Sequence, residues 1–326
     1  MYEAGIEVLE GGLYASVQDA GRPGRRRLGV APGGALDRLA AAIANLLAGN
    51  AAEAPALEMH FPAPRLRFAQ TTLFALGGAD FSPALDGRPL TNWRRYRAQA
   101  GQVLSFQGPR YGRWAYLAVA GGLATARWLG SAAMTPFAGL DGLLGRPLQA
   151  GDRLPLSADA AAIASGLALS PAAWPGYARG ARRPIRVIAG PELEGLAPSD
   201  QARLFTAAFT VGADSNRMAT RLEGARLHLD EPLELVSSAV APGVIQLPPD
   251  GRPMALLADA QTVGGYPRIA AIIAADLPDF VQRPLGAEVS FQAVTIAEAE
   301  RAAAALRQRL AKLVVAATLT KAGQRG

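Results

Sequence analysis

The sequence predicts a mainly β protein with a few helices. Short segments rich in β-forming residues recur along most of the 326 residues, Gly, Pro and Asp turns separate them, and few segments have helical patterning. Short strands at such spacing are typical of β-barrels or sandwiches and not of βαβ repeats. An apolar content of 50% is high enough to give two domains a core each.

The elements follow from local pattern. Alternating or β-rich runs predict strands at residues 6–9, 72–76, 102–106, 115–120, 185–189, 234–240, 254–258 and 288–291. A helix is predicted over residues 36–47, since Asp37 lies near its start and Gly49-Asn50 follows its end. An alanine- and arginine-rich helix is predicted over residues 296–313.

A domain boundary is predicted within residues 157–184. This stretch is first small and alanine-rich, and then contains turn-forming residues before a new strand begins. The prediction is therefore an N-terminal domain over residues 1–180, a second domain over residues 181–295, and a C-terminal helix and tail over residues 296–326.

Composition excludes several kinds of chemistry. Cysteine is absent, which removes disulfides, thiolate nucleophiles and cysteine-ligated metals. The two histidines, His60 and His228, have no metal-ligand spacing, so no bound metal is expected. The two lysines, Lys312 and Lys321, both lie in the C-terminal tail, so a Walker loop, a Schiff base and a biotin-attachment lysine are not expected in the body of the chain.

The net charge of +6 does not indicate nucleic-acid binding. The arginines are scattered, apart from one run at residues 25–27, and the aromatic residues are too few to act as stacking platforms. Neither a signal peptide nor an apolar segment of membrane-spanning length is recognisable. We therefore expect a cytoplasmic protein that binds neither nucleic acid nor a membrane.

Two polar turns flank the predicted strand 254–258 and give the strongest signal of a functional site. Asp250 precedes the strand and Asp259 follows it, so we expect the two carboxylates not to lie far apart. Asp259, Gln261 and Tyr266 are suited to act as a base, an orienting amide and a phenol donor. The alternative is a network of hydrogen bonds that only stabilises the turns.

Four other polar motifs leave two interpretations open. Residues 18–24 form a turn in which Asp19 either caps the backbone or contacts a ligand or another protein chain. Residues 30–37 either start the first helix or bind an anion there, and residues 77–81 form either a β-turn or a site of close backbone approach. Residues 214–218 form either an anion site or an Asx turn.

Several motifs together resemble a known family. They are Gln18-Asp-Ala-Gly-Arg-Pro-Gly24, Gly33-Gly-Ala-Leu-Asp37, Asn45 with Gly49-Asn50, Gly77-Gly-Ala-Asp80, Leu117-Ala-Val-Ala-Gly-Gly122, Ser215-Asn-Arg-Met218, Pro248-Pro-Asp-Gly251 and Asp259-Ala-Gln-Thr-Val-Gly-Gly-Tyr-Pro267. Their order and spacing resemble the biotin-dependent carboxyltransferase / allophanate hydrolase subunit 2 family across roughly residues 5–292. That family includes one component of the bacterial ATP-dependent 5-oxoprolinase, the protein KipA and the carboxyltransferase region of urea carboxylase.

The resemblance implies two cyclophilin-like β-barrel domains and a heteromeric complex. It implies a KipI-like B subunit that completes a composite active site and, for a 5-oxoprolinase, a further A subunit. The expected activity is the ATP-dependent opening of a cyclic amide, with ATP bound through the complex and no activity of this chain alone. A KipA-like protein that binds a kinase inhibitor is one alternative. The carboxyltransferase of a split urea carboxylase, using biotin carried by another chain, is the other.

The resemblance also places the site residues. The residues expected to be catalytic are Asp259, Gln261, Tyr266 and Asp250, and those expected to bind substrate are Asn216, Arg217, Thr262, Gly265, Arg268 and Gln246. Asp259 or Asp250 would hold a lactam nitrogen or act as a base, while Gln261 and Tyr266 would bind the carbonyl as it gains charge. Arg217 or Arg268 would bind a substrate carboxylate or a phosphorylated intermediate.

Overall fold

A computed structural model describes residues 5–136, 138–157, 166–180, 183–231, 233 and 235–323, with side chains described up to residue 319. The mainly β fold with few helices is confirmed. Within the described residues, no helix combines the length and the apolar character that crossing a bilayer would require.

Twenty-one strands are present in the described chain. They are β1 Ile6–Glu10, β2 Tyr14–Gln18, β3 Ala56–His60, β4 Arg65–Phe68, β5 Thr72–Asp80, β6 Pro83–Leu85, β7 Arg88–Pro89, β8 Arg94–Ala98, β9 Val103–Phe106, β10 Tyr111–Val119, β11 Arg153–Leu154, β12 Ile185–Ala189, β13 Phe209–Val211, β14 Ala219–Gly224, β15 Ser238–Ala239, β16 Val244–Gln246, β17 Met254–Leu256, β18 Val263–Gly264, β19 Arg268–Ile272, β20 Glu288–Val289 and β21 Phe291–Ala293.

Two of the four described α-helices were predicted from sequence. They are α1 Arg38–Ala48, whose N-cap Asp37 accepts a hydrogen bond from the backbone N–H of Ala40, and α4 Ile296–Gly323, which continues beyond its predicted end. The other two, α2 Pro198–Thr206 and α3 Leu277–Val281, are short and have a proline in the first turn. Proline there suits a helix start but also resembles a turn, so sequence pattern missed both.

The chain forms two compact units. Unit 1 contains Met1–Arg22, Gly33–Gly180 and Arg309–Gly326, and unit 2 contains Pro23–Pro32 and Ala181–Gln308. Unit 2 therefore includes a short segment from near the N-terminus. The end of α4 belongs to unit 1, whereas the sequence placed the whole helix after both domains.

Unit 1 is built on two sheets with an apolar core. The six-stranded sheet has the order β11-β1-β4-β9-β6-β7 and the five-stranded sheet the order β2-β3-β10-β5-β8. Alternation along β3 shows why the core forms: Leu57 and Met59 join the core, while Glu58 on the opposite face accepts a hydrogen bond from the backbone N–H of Leu36, just before α1. The five-stranded sheet therefore has one apolar face and one that packs near α1.

The Gly77-Gly78 pair lies inside β5 and not in a β-turn. A Cβ on Gly77 would lie 3.1 Å from the backbone oxygen of Ala40 and 3.3 Å from the Cβ of Ala44, so glycine allows α1 to pack directly on the strand. Gly78 has a φ of +77° at the irregularity in the β5–β10 pairing, and a Cβ there would collide with the carbonyl of Trp114. Close backbone approach, the other interpretation of this motif, is therefore correct.

Unit 2 is built on a nearly closed barrel. Its eight-stranded sheet has the order β20-β13-β14-β17-β16-β19-β12-β21. The two edge strands β20 and β21 are separated by Ser290 alone, so the ends of the sheet meet and leave almost no open edge. A separate two-stranded ribbon pairs β15 with β18, with Ala239 opposite Val263 and Ser238 opposite Gly264.

Candidate functional site

The β16–β17 hairpin and the turns around it organise the candidate site in unit 2. Gln246 ends β16 and lies opposite Met254 on β17 and Arg268 on β19. Asp259 lies in the turn after β17, where the backbone N–H of Ala260 donates to the carbonyl of Leu257. An apolar cluster that includes Val240, Leu256 and Ala260 packs under this turn.

Arg217 and Asp259 form a buried, bidentate ion pair. Arg217 Nε lies 2.8 Å from Asp259 Oδ2 and Arg217 Nη2 lies 3.0 Å from Asp259 Oδ1, with side chains only 4% and 8% exposed. The backbone N–H of Asp259 also donates to the carbonyl of Arg217, at 3.1 Å. The pair therefore connects the turn before β14 to the turn after β17, and both carboxylate oxygens already accept hydrogen bonds.

Gln246 lies opposite Met254, at the hairpin end of β17, and is fully buried. Its Nε2 donates to the backbone carbonyl of Tyr266 at 3.2 Å, while its Oε1 has no hydrogen-bond partner among the described residues. The Gly264 backbone passes so close that a Cβ there would lie 2.9 Å from Gln246 Nε2. Gly264 is thus explained by close packing on an amide, since it has no positive φ.

The exposed part of the site lies in β18 and in the residues on either side of it. Tyr266 is 44% exposed and Val263 54% exposed, whereas Thr262 is buried at 8%. The hydroxyls of Tyr266 and Thr262 have no hydrogen-bond partner in the part of the chain that the structure describes. Like the buried Gln246 Oε1, they are uncommitted hydrogen-bonding groups.

Asp250 lies at the other end of β17 from Asp259. It sits in the hairpin turn between β16 and β17, and its side chain binds Arg252 at 2.9 Å and Arg221 at 3.4 Å. The hydrogen bond from the backbone N–H of Arg252 and the nearby guanidinium groups lower the pKa of the Asp250 carboxyl. The two carboxylates, which we expected to lie near each other, therefore belong to separate ion pairs.

Other predicted site residues have partners of their own. Arg268 makes a bidentate ion pair with Glu192, with Nη2 2.6 Å from Oε1, and this bond lowers the pKa of the Glu192 carboxyl. Asn216 Oδ1 accepts from the backbone N–H of Met218 at 2.8 Å, as in an Asx turn. Gln261 and Gly265 are exposed. Within the 214–218 motif, it is Arg217 that forms hydrogen bonds with the Asp259 side chain.

Sequence analysis missed Glu192, which fixes Arg268. Glu192 accepts from the backbone N–H of Arg268 at 2.8 Å as well as from its guanidinium. It follows Gly190-Pro191, a turn that ends β12, and an acid directly after such a turn was the available signal. The partner across 76 residues of sequence cannot be identified from that pattern, because pairing of β12 with β19 creates the contact.

A second polar cluster lies in unit 1 at the start of α1. Tyr177 donates to Asp37 Oδ2 at 2.6 Å, the backbone N–H of Asp37 donates to the Tyr116 hydroxyl at 2.7 Å, and Tyr116 donates to Glu58 Oε2 at 2.7 Å. Burial raises the pKa of both tyrosines well above their usual range, and the nearby carboxylates reinforce the shift. These groups are already bonded to one another and to the helix start, so the cluster stabilises α1.

The remaining motifs of unit 1 also bind the protein backbone. Asp19 accepts from Ser131 Oγ at 2.5 Å and from the backbone N–H groups of Gly21 and Ala132 at 2.8 and 2.7 Å. Arg22 donates to the carbonyls of Trp128 and Ala133 and lies 5.0 Å from the centre of the Trp128 ring. The 18–24 motif therefore holds the 128–133 loop, which matches the capping interpretation.

Comparison with known proteins shows which family the sequence matches. The sequence matches the family described as "Carboxyltransferase domain, subdomain A and B" over residues 28–293. It is 36% identical to the 5-oxoprolinase C subunit of Haemophilus influenzae and 38% identical to that of Escherichia coli; each alignment covers 91% of this chain, and 93% and 94% of the relatives.

Solved structures give the same assignment of the fold. The Kluyveromyces lactis urea carboxylase superposes with a TM-score of 0.87 at 25% identity, over 96% of this chain and 29% of that longer one. The match to the family extends over most of the chain and includes both units and all the site residues described above. This chain belongs to the carboxyltransferase domain family, subdomains A and B.

Proposed function

We propose that this chain is the C subunit of a cytoplasmic, ATP-dependent 5-oxoprolinase complex that opens 5-oxo-L-proline to L-glutamate. The observation that carries the proposal is the alignment with two 5-oxoprolinase C subunits over more than nine-tenths of their length and of this chain. A KipI-like B subunit and an A subunit would complete the complex. ATP would bind through the complex, and this chain alone would be inactive.

Two side chains of the candidate site would supply the hydrogen bonds that a small cyclic amide needs. Hydrolysis of a lactam breaks the C–N bond: the hydroxyl of a water is added to the carbonyl carbon, and a proton goes to the nitrogen. Such a reaction needs a donor for the carbonyl oxygen as it gains charge and an acceptor for the ring N–H. The Tyr266 hydroxyl is an uncommitted donor, and Gln246 Oε1 is an uncommitted acceptor, among the described residues.

The ion pair of Arg217 and Asp259 has a positioning role in this proposal. Its two hydrogen bonds and its burial hold the turns that carry the site in one arrangement. Asp259 would act on the substrate through this arrangement, and Arg217, already bonded to Asp259, would not be the main group that binds a substrate carboxylate. Thr262, whose backbone carbonyl accepts from the N–H of Val240, would orient the start of the ribbon.

One observation favours a second candidate, the carboxyltransferase of a split urea carboxylase. The high structural similarity to the urea carboxylase of Kluyveromyces lactis supports it. Biotin would then have to be supplied by another chain, because both lysines of this sequence lie in the C-terminal tail. Urea also presents N–H donors, so the same uncommitted acceptor would serve.

Co-expression with the other proteins of the complex tests the proposal. We expect ATP-dependent glutamate formation from 5-oxoproline that needs this chain, and a large loss of the rate on Asp259→Ala. Asp279→Ala is the control, since Asp279 lies in another ion pair of unit 2, with Arg183, and is not one of the predicted site residues. Urea-dependent bicarbonate chemistry in place of glutamate formation would favour the second candidate. Binding of a kinase inhibitor without turnover of either substrate would indicate a KipA-like regulator.

A further inference from the structure

Gln246 carries an unsatisfied acceptor within the candidate site. The residue is fully buried, and its Oε1 is shielded from solvent without a hydrogen-bond partner among the described residues. Native structures rarely leave such a group unpaired, because it loses its hydrogen bonds to water and gains none in return. The exception needs a reason, and a ligand that supplies the missing donor is one.

The orientation of the Gln246 carboxamide is fixed. The backbone carbonyl of Tyr266, 3.2 Å away, can only accept, so the NH2 group must face it and the oxygen must face the other way. The backbone of Gly264 covers the amide: a Cβ at that position would lie 2.9 Å from Nε2 and 3.5 Å from Oε1. Glycine at this position therefore keeps the carboxamide in place without a side chain on top of it.

We propose that Gln246 determines substrate specificity: its Oε1 accepts a hydrogen bond from the ring N–H of the lactam. The inference rests on the proposed function. It predicts that the site selects a secondary amide over the corresponding lactone, in which an oxygen replaces the ring N–H. The lactone would direct lone pairs at Gln246 Oε1 and leave the acceptor unsatisfied.

In this proposal β18, Val263–Gly264, which covers the Gln246 amide at Gly264, moves aside to admit the lactam, while the Tyr266 carbonyl keeps holding Gln246 Nε2. β18 pairs with β15 in a two-stranded ribbon that is separate from the eight-stranded barrel sheet. Val263 is about half exposed, so its displacement would uncover little apolar surface. The movement would leave the pairing of the barrel strands intact.

The test compares two ligands on the whole complex. Dissociation constants are measured for 5-oxoproline and for its lactone analogue, with wild type, Gln246→Met and Gln246→Glu. We expect wild type to prefer the lactam by about 100-fold and Gln246→Met, which has the length but no acceptor, to lose about 10-fold or more of that preference. Gln246→Glu keeps an acceptor oxygen, so it should retain more of the preference than Gln246→Met.

Two glycines of unit 2 supply a matched pair of variants. Gly264→Ala would push against the Gln246 amide, whereas a Cβ at Gly195 would meet no atom within 4 Å. We expect Gly264→Ala to reduce the preference for the lactam and Gly195→Ala to leave it unchanged. If Gln246→Met fails to fold, the two alanine variants decide the question.

The outcomes separate the inference from the proposed function. If the wild-type complex hydrolyses 5-oxoproline but Gln246→Met weakens both ligands equally, the ratio is unchanged and Gln246 has only a structural role, which overturns the inference alone. If the Gly264→Ala complex prefers the lactam over the lactone as strongly as the wild-type complex does, that result also overturns the inference about Gln246. A wild-type complex that neither binds nor hydrolyses 5-oxoproline overturns both.

Discussion

The turn at Asp19 and the turn at Asp259 use the same two residue types in opposite ways. In unit 1, Asp19 and Arg22 each bind the backbone of the 128–133 loop. In unit 2, Asp259 and Arg217 bind each other, and the same barrel carries uncommitted side chains such as Gln246. An acid and an arginine are thus structural in one unit and belong to a candidate site in the other.

The difference shows which property distinguishes a site from a structural turn. The hydrogen-bonding atoms of Asp19 are occupied by Ser131 and two backbone N–H groups. In unit 2, the acceptor of Gln246 and the hydroxyls of Thr262 and Tyr266 have no partner among the described residues. An unpaired amide alone does not separate the two regions, because the buried Oε1 of Gln18 in the 18–24 motif also has no partner there. The exposed, uncommitted hydroxyl of Tyr266 is the feature that the Asp19 turn lacks.

The largest loss of stability is expected when the Arg217–Asp259 ion pair is broken by a substitution. Asp259→Leu or Arg217→Met alone leaves one buried charge without its partner and should lower the free energy of unfolding by about 3–5 kcal/mol. The double variant removes both charges and should be markedly more stable than either single variant, while activity of the complex stays low. Urea unfolding of all three measures this, with Asp250→Ala as the control. A double variant as active as wild type would show that the pair is structural only, like Asp19.

Asp19→Ala should destabilise unit 1 by about 3 kcal/mol, because three donors lose their acceptor, two of them in buried hydrogen bonds. Urea unfolding gives the size of the effect. Glu10→Ala is the matched control, since Glu10 forms an exposed ion pair with Arg65 and its removal should cost no more than about 0.5 kcal/mol. If Asp19→Ala lowered the free energy of unfolding as little as Glu10→Ala, the structural role of the 18–24 motif would be contradicted.

Alkaline pH should affect unit 1 through Tyr111. Burial raises the pKa of Tyr111 from 10.0 to about 12, so the folded state keeps the phenol neutral after the unfolded chain has begun to ionise. The stabilisation is complete below pH 10 and is lost as pH rises through 12, by at most about 1.4 kcal/mol per pH unit. The free energy of unfolding, measured from pH 9 to pH 12, should fall less steeply with pH in Tyr111→Phe than in the wild type. Equal slopes in the two proteins would contradict the prediction.

Tyr266→Phe should have the smallest effect on stability. The side chain is 44% exposed and its hydroxyl has no partner among the described residues, so the free energy of unfolding should change by less than about 0.5 kcal/mol. Glutamate formation by the complex should nevertheless fall about 100-fold if the hydroxyl stabilises charge on the carbonyl oxygen. Unchanged turnover would exclude that role for Tyr266.

Local pattern was sufficient for elements that are set by nearby residues. The α1 helix begins beside Asp37 and ends at Gly49, as its capping residues indicate. The strand Ile185–Ala189 has the predicted bounds, because a short apolar run between turn-forming residues defines it. Short helices that start with proline, such as α3, were missed because five residues are too few for a periodic signal.

The candidate site was predictable only as a set of polar turns. The sequence indicated Asp259, Gln246 and Tyr266 but also grouped Asp250 with Asp259, since the two are only nine positions apart in the chain. The structure separates the two carboxylates because β17 lies between their turns and each has its own arginine partners. Distance along the chain limits how far apart two residues are, but an extended strand uses most of that limit.

The amino-acid sequence was sufficient for the mainly β class and the family, because composition and ordered motifs are properties of the chain. The folded structure was needed to show that Arg217 pairs with Asp259, that Glu192 pairs with Arg268 and that Gln246 keeps an unsatisfied oxygen. These contacts join residues 20 to 76 positions apart through the strand order of one sheet. Hydrogen bonding depends on distances of about 3 Å, and only the folded chain fixes these.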